Sequence, residues 1–175
     1  MDVELIMDKN IAKYIDLSKR AGILDTLLIS PKDIAFDVRS NLKCGWGCDR
    51  SVLTSIRCDD RGTSYQERVQ MVNQYNKILL LHSNSAHLLS QVLLKLERSA
   101  FQDGYYFAIA LRTCNLCLNC HALRGKKCLH PERVRPCETM FGIDVYRTVR
   151  QLGLPCEVLQ AKEDPQNRYG FLLID

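Results

Sequence analysis

Cys114, Cys117 and Cys120 stand three apart in the stretch CNLCLNCHALRGKKC, and Cys128 closes it after a gap of seven residues. Thiolates are soft ligands, suited to zinc, copper(I) and iron–sulfur clusters rather than to hard cations. Three of them with two residues between neighbours let a short loop wrap one compact object, with sulfurs at three corners of a cuboidal cluster. Ferredoxins use this spacing for three ligands, but set the fourth cysteine three residues on and follow it with proline. Here the proline is Pro131, so Cys128 is expected to return to the same cluster through the Gly125-containing loop. Zinc is the competing reading, since four thiolates also complete a tetrahedral structural site and one CxxC pair is a common zinc knuckle. Structural zinc sites commonly hold two pairs separated by a longer spacer, so the spacing favours [4Fe-4S] and leaves zinc as the alternative. Plain packing of apolar thiols explains the run poorly. Asn115, Asn119, His121, Lys126 and Lys127 make the segment polar.

A second group, Cys44, Cys48 and Cys58, has the spacing C-x3-C-x9-C. Radical enzymes that cleave S-adenosylmethionine open in the same way, but they need a third cysteine where this chain has Ser51. Three cysteines alone could hold a cluster with one iron open to substrate, or Cys137 could complete the set. Incidental thiols in a glycine-bearing loop are the less favoured alternative. His121 and His130 lie close enough in sequence to ligate or to hydrogen-bond a cluster sulfur, although solvated loop histidines are the simpler status. Trp46, between Cys44 and Cys48, would shield a metal site or tuck against the core, and Cys156 reads as a buried apolar residue of a strand. No glycine-rich phosphate loop, Ser-His-Asp set or telling carboxylate pair is visible.

The chain needs no staples. At 175 residues it is long enough to bury roughly 70% of its unfolded surface. Its nine cysteines are an odd number, and no segment reaches the roughly 18 apolar residues of a membrane span or the pattern of a secretory leader. A cytoplasmic location with reduced, metal-binding thiols is therefore expected rather than a disulfide framework. The net charge of +4 is modest, with one small basic cluster at Arg124, Lys126, Lys127, Arg133 and Arg135. A nucleic-acid face is not favoured, because that calls for a dense basic stripe interleaved with aromatics.

Apolar periodicity supplies the frame. Ile11, Tyr14, Ile15, Ser18 and Ala21 recur at helical spacing, with Asp8 as N-cap and Gly22 as the closing residue. ILDTLLI at 23–29 and DIAFDV at 33–38 read as strands, and periodicity then lapses over 40–62, the first cysteine loop. Ser64 and Glu67 form a capping-box pattern that opens a helix. KILLLH at 77–82 reads as a central strand covered on both faces. Residues 85–103 form the strongest amphipathic helix, and YYFAIAL at 105–111 reads as an internal strand running straight into the second cysteine loop, 112–133. A helix over about 143–152 and a hairpin of CEVLQA with YGFLLI complete the chain. The fold class is α/β: one domain over 1–175, a mixed β-sheet layered with helices, bearing two cysteine loops.

The cysteine run followed by HPERVRP and FGIDVYRTVRQLGLPCEVL resembles a family of small prokaryotic proteins known as predicted metal-binding proteins, a domain of unknown function. ISPKDIAFDVRSNLKC, the loop with Cys44, Cys48 and Cys58, and the closing RYGFLLID extend the resemblance over nearly the whole chain, in the same order. The resemblance implies metal ligation by both groups: Cys44, Cys48, Cys58, Cys114, Cys117, Cys120 and Cys128. The chain departs from the pattern where members carry Tyr-Gly between the second and third cysteines of the first group and Pro-Pro after the third. Here DRSVLTSIR intervenes and Asp59-Asp60 follows, which places the altered site at the first group and the intact one at the second. Cys137 replaces a common serine.

The expected function is that of a [4Fe-4S] redox protein that delivers electrons to a partner enzyme. One cluster is expected at the second group, and a second at the first group is left open. The basic cluster would attract an acidic partner. The alternatives are a zinc-fixed interaction module, and an enzyme with an open-iron cluster at the first group.

Overall fold

The structure, a computed structural model, describes residues 3–47, 55–161 and 163–175. Four strands build its sheet: β1 (Asp25–Ile29), β2 (Ile78–Ser83), β3 (Ile109–Leu111) and β4 (Arg168–Leu173). Their order is β1-β2-β4-β3, and every pairing is antiparallel. Among the described residues the helices are α1 (Val3–Arg20), α2 (Val38–Gly47), α3 (Tyr65–Asn73), α4 (Ala86–Gln102) and α5 (Val145–Gln151). The result is the expected α/β class in one domain with helices layered on a sheet, but the sheet is antiparallel throughout rather than mixed, and the described cysteines lie outside its strands.

β2 shows why the sheet sits where it does. All six of its residues are buried, as a strand covered on both faces requires. Ile78 and Leu80 enter one core with Phe171, Leu173, Val72, Phe141 and Val149, while Leu79 and Leu81 enter the other with Leu172, Tyr14, Leu89, Leu93 and Leu96. α1 and α4 therefore cover one face, and α3, α5 and the 3-10 turn Glu138–Phe141 cover the other.

Several expectations are corrected by this arrangement. α1 begins at Val3, so Asp8 lies inside it rather than capping it. Residues 33–38 form no strand. A 3-10 turn (Pro31–Asp33) and one isolated bridge, Phe36 to Ile143, lead directly into α2. Residues 40–47 of the expected loop are thus helical. Of YYFAIAL only the last three residues pair, because Tyr106 and Phe107 follow turn bonds and stand exposed. β3 is an edge strand, since the C-terminal β4 inserts between it and β2. CEVLQA takes no strand among the described residues, so β4 has no hairpin partner there. Gly22 closes α1 with φ +89° and the Ser64–Glu67 capping box opens α3, both as expected.

Candidate metal centre

The second cysteine loop leaves β3 at Arg112 and is tied down at both ends. The Arg112 N–H donates to the Pro136 carbonyl at 2.9 Å, pairing the outgoing and returning chain. Buried Glu138 receives the Thr113 N–H at 3.2 Å and Arg112 Nη1 at 3.0 Å. α4 holds the next residue, with the Asn115 N–H donating to Ser90 Oγ at 3.2 Å and His87 Nδ1 3.0 Å from the Asn115 carbonyl oxygen. On the way back Arg135 grips Glu97 of α4 through Nε at 2.8 Å and donates Nη1 to the Glu132 and Val134 carbonyls. The segment between these anchors carries two 3-10 turns and no strand or α-helix. Gly125 takes φ +68° where Lys126 folds back to donate to the His121 carbonyl, a left-handed position that suits glycine.

Cys114, Cys117, Cys120 and Cys128 all line one cavity of about 210 Å³, together with Arg57, His130 and several apolar groups. Cys117 is exposed and the other three are half-buried. Burial is the main influence on Cys114 and pushes its thiol up. The Leu116 N–H and the Arg57 charge pull it back, and Cys117 and Cys120 are near enough for their charges to push it up further. Among the described residues no three His, Cys, Asp or Glu side chains converge closely enough to hold a single ion. The four thiols border one cavity without converging on a point.

The first group is arranged differently. Cys44 is half-buried in the last turns of α2, Cys58 ends the 3-10 turn Ile56–Cys58 and packs against the larger core, and Cys48 lies outside the described residues. Cys137 is buried in that core with its thiol 3.1 Å from Thr139 Oγ1, and burial pushes its pKa up. Cys156 is half-buried against the same core but borders a separate polar cleft. Trp46 neither shields a site nor tucks in, being 84% exposed. His121 is not among the residues bordering the cysteine cavity, whereas His130 is.

Arg57 is the cavity residue that sequence reading does not reveal. It sits one position before Cys58, and Ser55 Oγ accepts its N–H at 3.3 Å, fixing the turn that aims it toward the other cysteine group. Its Nε is buried without a hydrogen-bond partner among the described residues. A lone arginine in an aperiodic segment carries no periodic or motif signal, so only the tertiary fold brings it into view. Of the basic cluster, Arg124, Lys126, Lys127 and Arg133 are exposed, while Arg135 is taken up by Glu97. No helix among the described residues is long and apolar enough to cross a membrane.

A family model described as predicted metal-binding protein (DUF2284) matches residues 27–174. No curated protein and no solved structure matches the chain.

Proposed function

The chain belongs to that family of predicted metal-binding proteins, and from this premise we propose that Cys114, Cys117, Cys120 and Cys128 hold a [4Fe-4S] cluster that serves electron transfer. The observation that carries the reading is the single cavity bordered by all four thiols, about 210 Å³ in volume. A body of water size needs only roughly 10–15 Å³ by this measure. The space leaves room for a multi-atom inorganic cluster, and the soft donor set is compatible with one. When bound, such a cluster takes up and gives back one electron at a time.

The chain's own residues have distinct parts in this reading. The bonds from Ser90, Glu138 and Arg135 hold the loop ends, so that metal would meet thiols already gathered. Arg57 brings positive charge to the cavity, where thiolates accumulate negative charge. Leu118, Leu123 and Leu129 are exposed around the loop, beside Arg124, Lys126, Lys127 and Arg133. Exposed apolar and cationic side chains on one loop suit a redox partner protein with an acidic face. A cytoplasmic setting, where thiols stay reduced, belongs to the same proposal.

Protein prepared without oxygen should contain about four irons and four acid-labile sulfides per chain, show broad visible absorbance and be reduced reversibly by one electron. About one zinc without sulfide or colour would overturn the redox reading and make the loop a structural module.

A further inference from the structure

A second concavity, about 720 Å³ in volume, opens between α2, α5 and the start of β4. It lies within the roughly 300–1,000 Å³ typical of small-molecule sites, and none of the four thiols of the second cysteine loop borders it. Its lining is polar and charged, and most of those charges already have partners. Arg39 is held by Asp37 with Nη2 to Oδ2 at 2.5 Å, and Arg112 by Glu138 at 3.0 Å. Asp144 caps α5 by accepting the Arg147 N–H at 3.0 Å, and Glu157 faces Asn167 Nδ2 at 3.5 Å.

Two features are left over, and they lie together. Arg112 is nine-tenths buried, and its Nε has no hydrogen-bond partner among the described residues. Its side chain fits because β4 has glycine beside it: a Cβ on Gly170 would stand 3.3–3.4 Å from Arg112 Cδ and Cβ and 2.6 Å from Leu93 Cδ1. Arg168, the first residue of β4, is half-buried near Arg112, and both burial and the Arg112 charge weigh against its own charge. No carboxylate lies within ion-pair distance of Arg168 among the described residues, where its side chain donates only to the neutral amide of Gln166. Lys43 on the cleft wall also has no ion-pair partner there. Two guanidiniums near each other, of which only Arg112 has a carboxylate partner, cost stability unless an anion joins them.

We propose that this cleft binds a small organic anion, its carboxylate or phosphate group held by Arg168 beside the buried guanidinium of Arg112. The bidentate fork of arginine suits such oxyanions. The remaining volume would take the rest of the molecule, with Asn167 and Lys43 as further polar contacts. Glu138 bridges Arg112 to the Thr113 N–H, so the cleft floor is also an anchor of the cysteine loop. The inference needs no metal in that loop and stands or falls apart from the redox reading.

The test is calorimetric titration of the whole protein with inorganic phosphate and with succinate, for wild type, Arg168→Gln and the distant surface variant Arg20→Gln. Wild type and Arg20→Gln should bind at least one probe at one site per chain, and Arg168→Gln should bind it at least tenfold more weakly. Phosphate alone would assign a phosphorylated ligand, and succinate alone a carboxylic acid. Saturation by neither probe, or equal binding by Arg168→Gln, would overturn the site. Without probe, Arg168→Gln should unfold at no lower urea concentration than wild type, because a like charge has been removed. A clear drop in that midpoint would make Arg168 a structural residue and overturn the proposal.

Discussion

The two cysteine groups differ in what the backbone does around them. Cys114 to Cys128 lie on chain free of strand and α-helix, pinned at both ends, and their thiols face one cavity. Cys44 belongs to a helix and Cys58 to a 3-10 turn whose side chain has gone to the core. Spacing by two residues gathers side chains only where no regular ladder dictates their direction. In a helix the direction is already fixed by its 3.6-residue period, and burial of a thiol as an apolar group competes with its use as a ligand. The regions nevertheless touch, because Arg57 reaches from the first into the cavity of the second.

The largest test of that contrast is metal content. Cys120→Ser should lower iron from about four per chain to below about one, since a cluster lacking one of four thiolates is poorly held. Cys58→Ser should leave the iron of the second site unchanged. Equal loss in both variants, measured by iron and sulfide analysis, would break the contrast and make the two groups one site. Removal of the metal comes next in size. Neither core cluster includes any of the four thiols, so the apo protein should keep its far-ultraviolet circular dichroism while protease cleavage concentrates between residues 112 and 135. Global unfolding on chelation would instead show that metal binding drives the folding of the whole domain.

Much of this contrast was legible in the residues and part of it was not. The second group's spacing is a short-range pattern, and the loop it specifies is the loop that forms. The same holds for α4, whose Leu89, Leu93 and Leu96 recur at helical spacing, and for β2, where successive apolar residues meet two cores. α2 escaped because VRSNLKCGWG has two glycines and buries no residue, so neither propensity nor periodicity marks it. CEVLQA alternates like a strand yet has no ladder among the described residues, since β4 is already flanked by β2 and β3. Arg57 and the Arg112–Arg168 pair are juxtapositions of distant chain segments, and nothing local encodes them.

Arg57 offers a way to sharpen the comparison by tuning one region from the other. Replacing it by Gln removes a positive charge from the cavity while keeping a similar shape. The reduction potential of the loaded protein should fall by on the order of 50–100 mV, equivalent to a few kcal/mol at most for a charge several ångströms away in a partly buried site. Voltammetry of the two proteins measures it. An unchanged potential would leave Arg57 as a space-filling residue and separate the regions completely.

The smallest expected effect concerns α3, which follows the first cysteine region directly. Ser64 caps it, accepting the Glu67 N–H at 3.2 Å, and Glu67 returns the bond by accepting the Ser64 N–H at 2.7 Å. Ser64→Ala should cost about 1 kcal/mol in chemical unfolding with no change in bound iron, because the second loop is held by Ser90, Glu138 and Arg135 instead. The bonds from the Ser64 N–H and hydroxyl hold the Glu67 carboxyl below its ordinary value. A depressed carboxyl contributes stability above its unfolded pKa, about 4.3, and loses it as pH falls through the folded value. The wild type should therefore weaken below that pH by an increment that Glu67→Gln lacks, read as the difference between their urea midpoints across the acid range. If Ser64→Ala also released iron, the start of α3 would have to support the cavity through the turn that bears Arg57, and the two cysteine regions would be mechanically one.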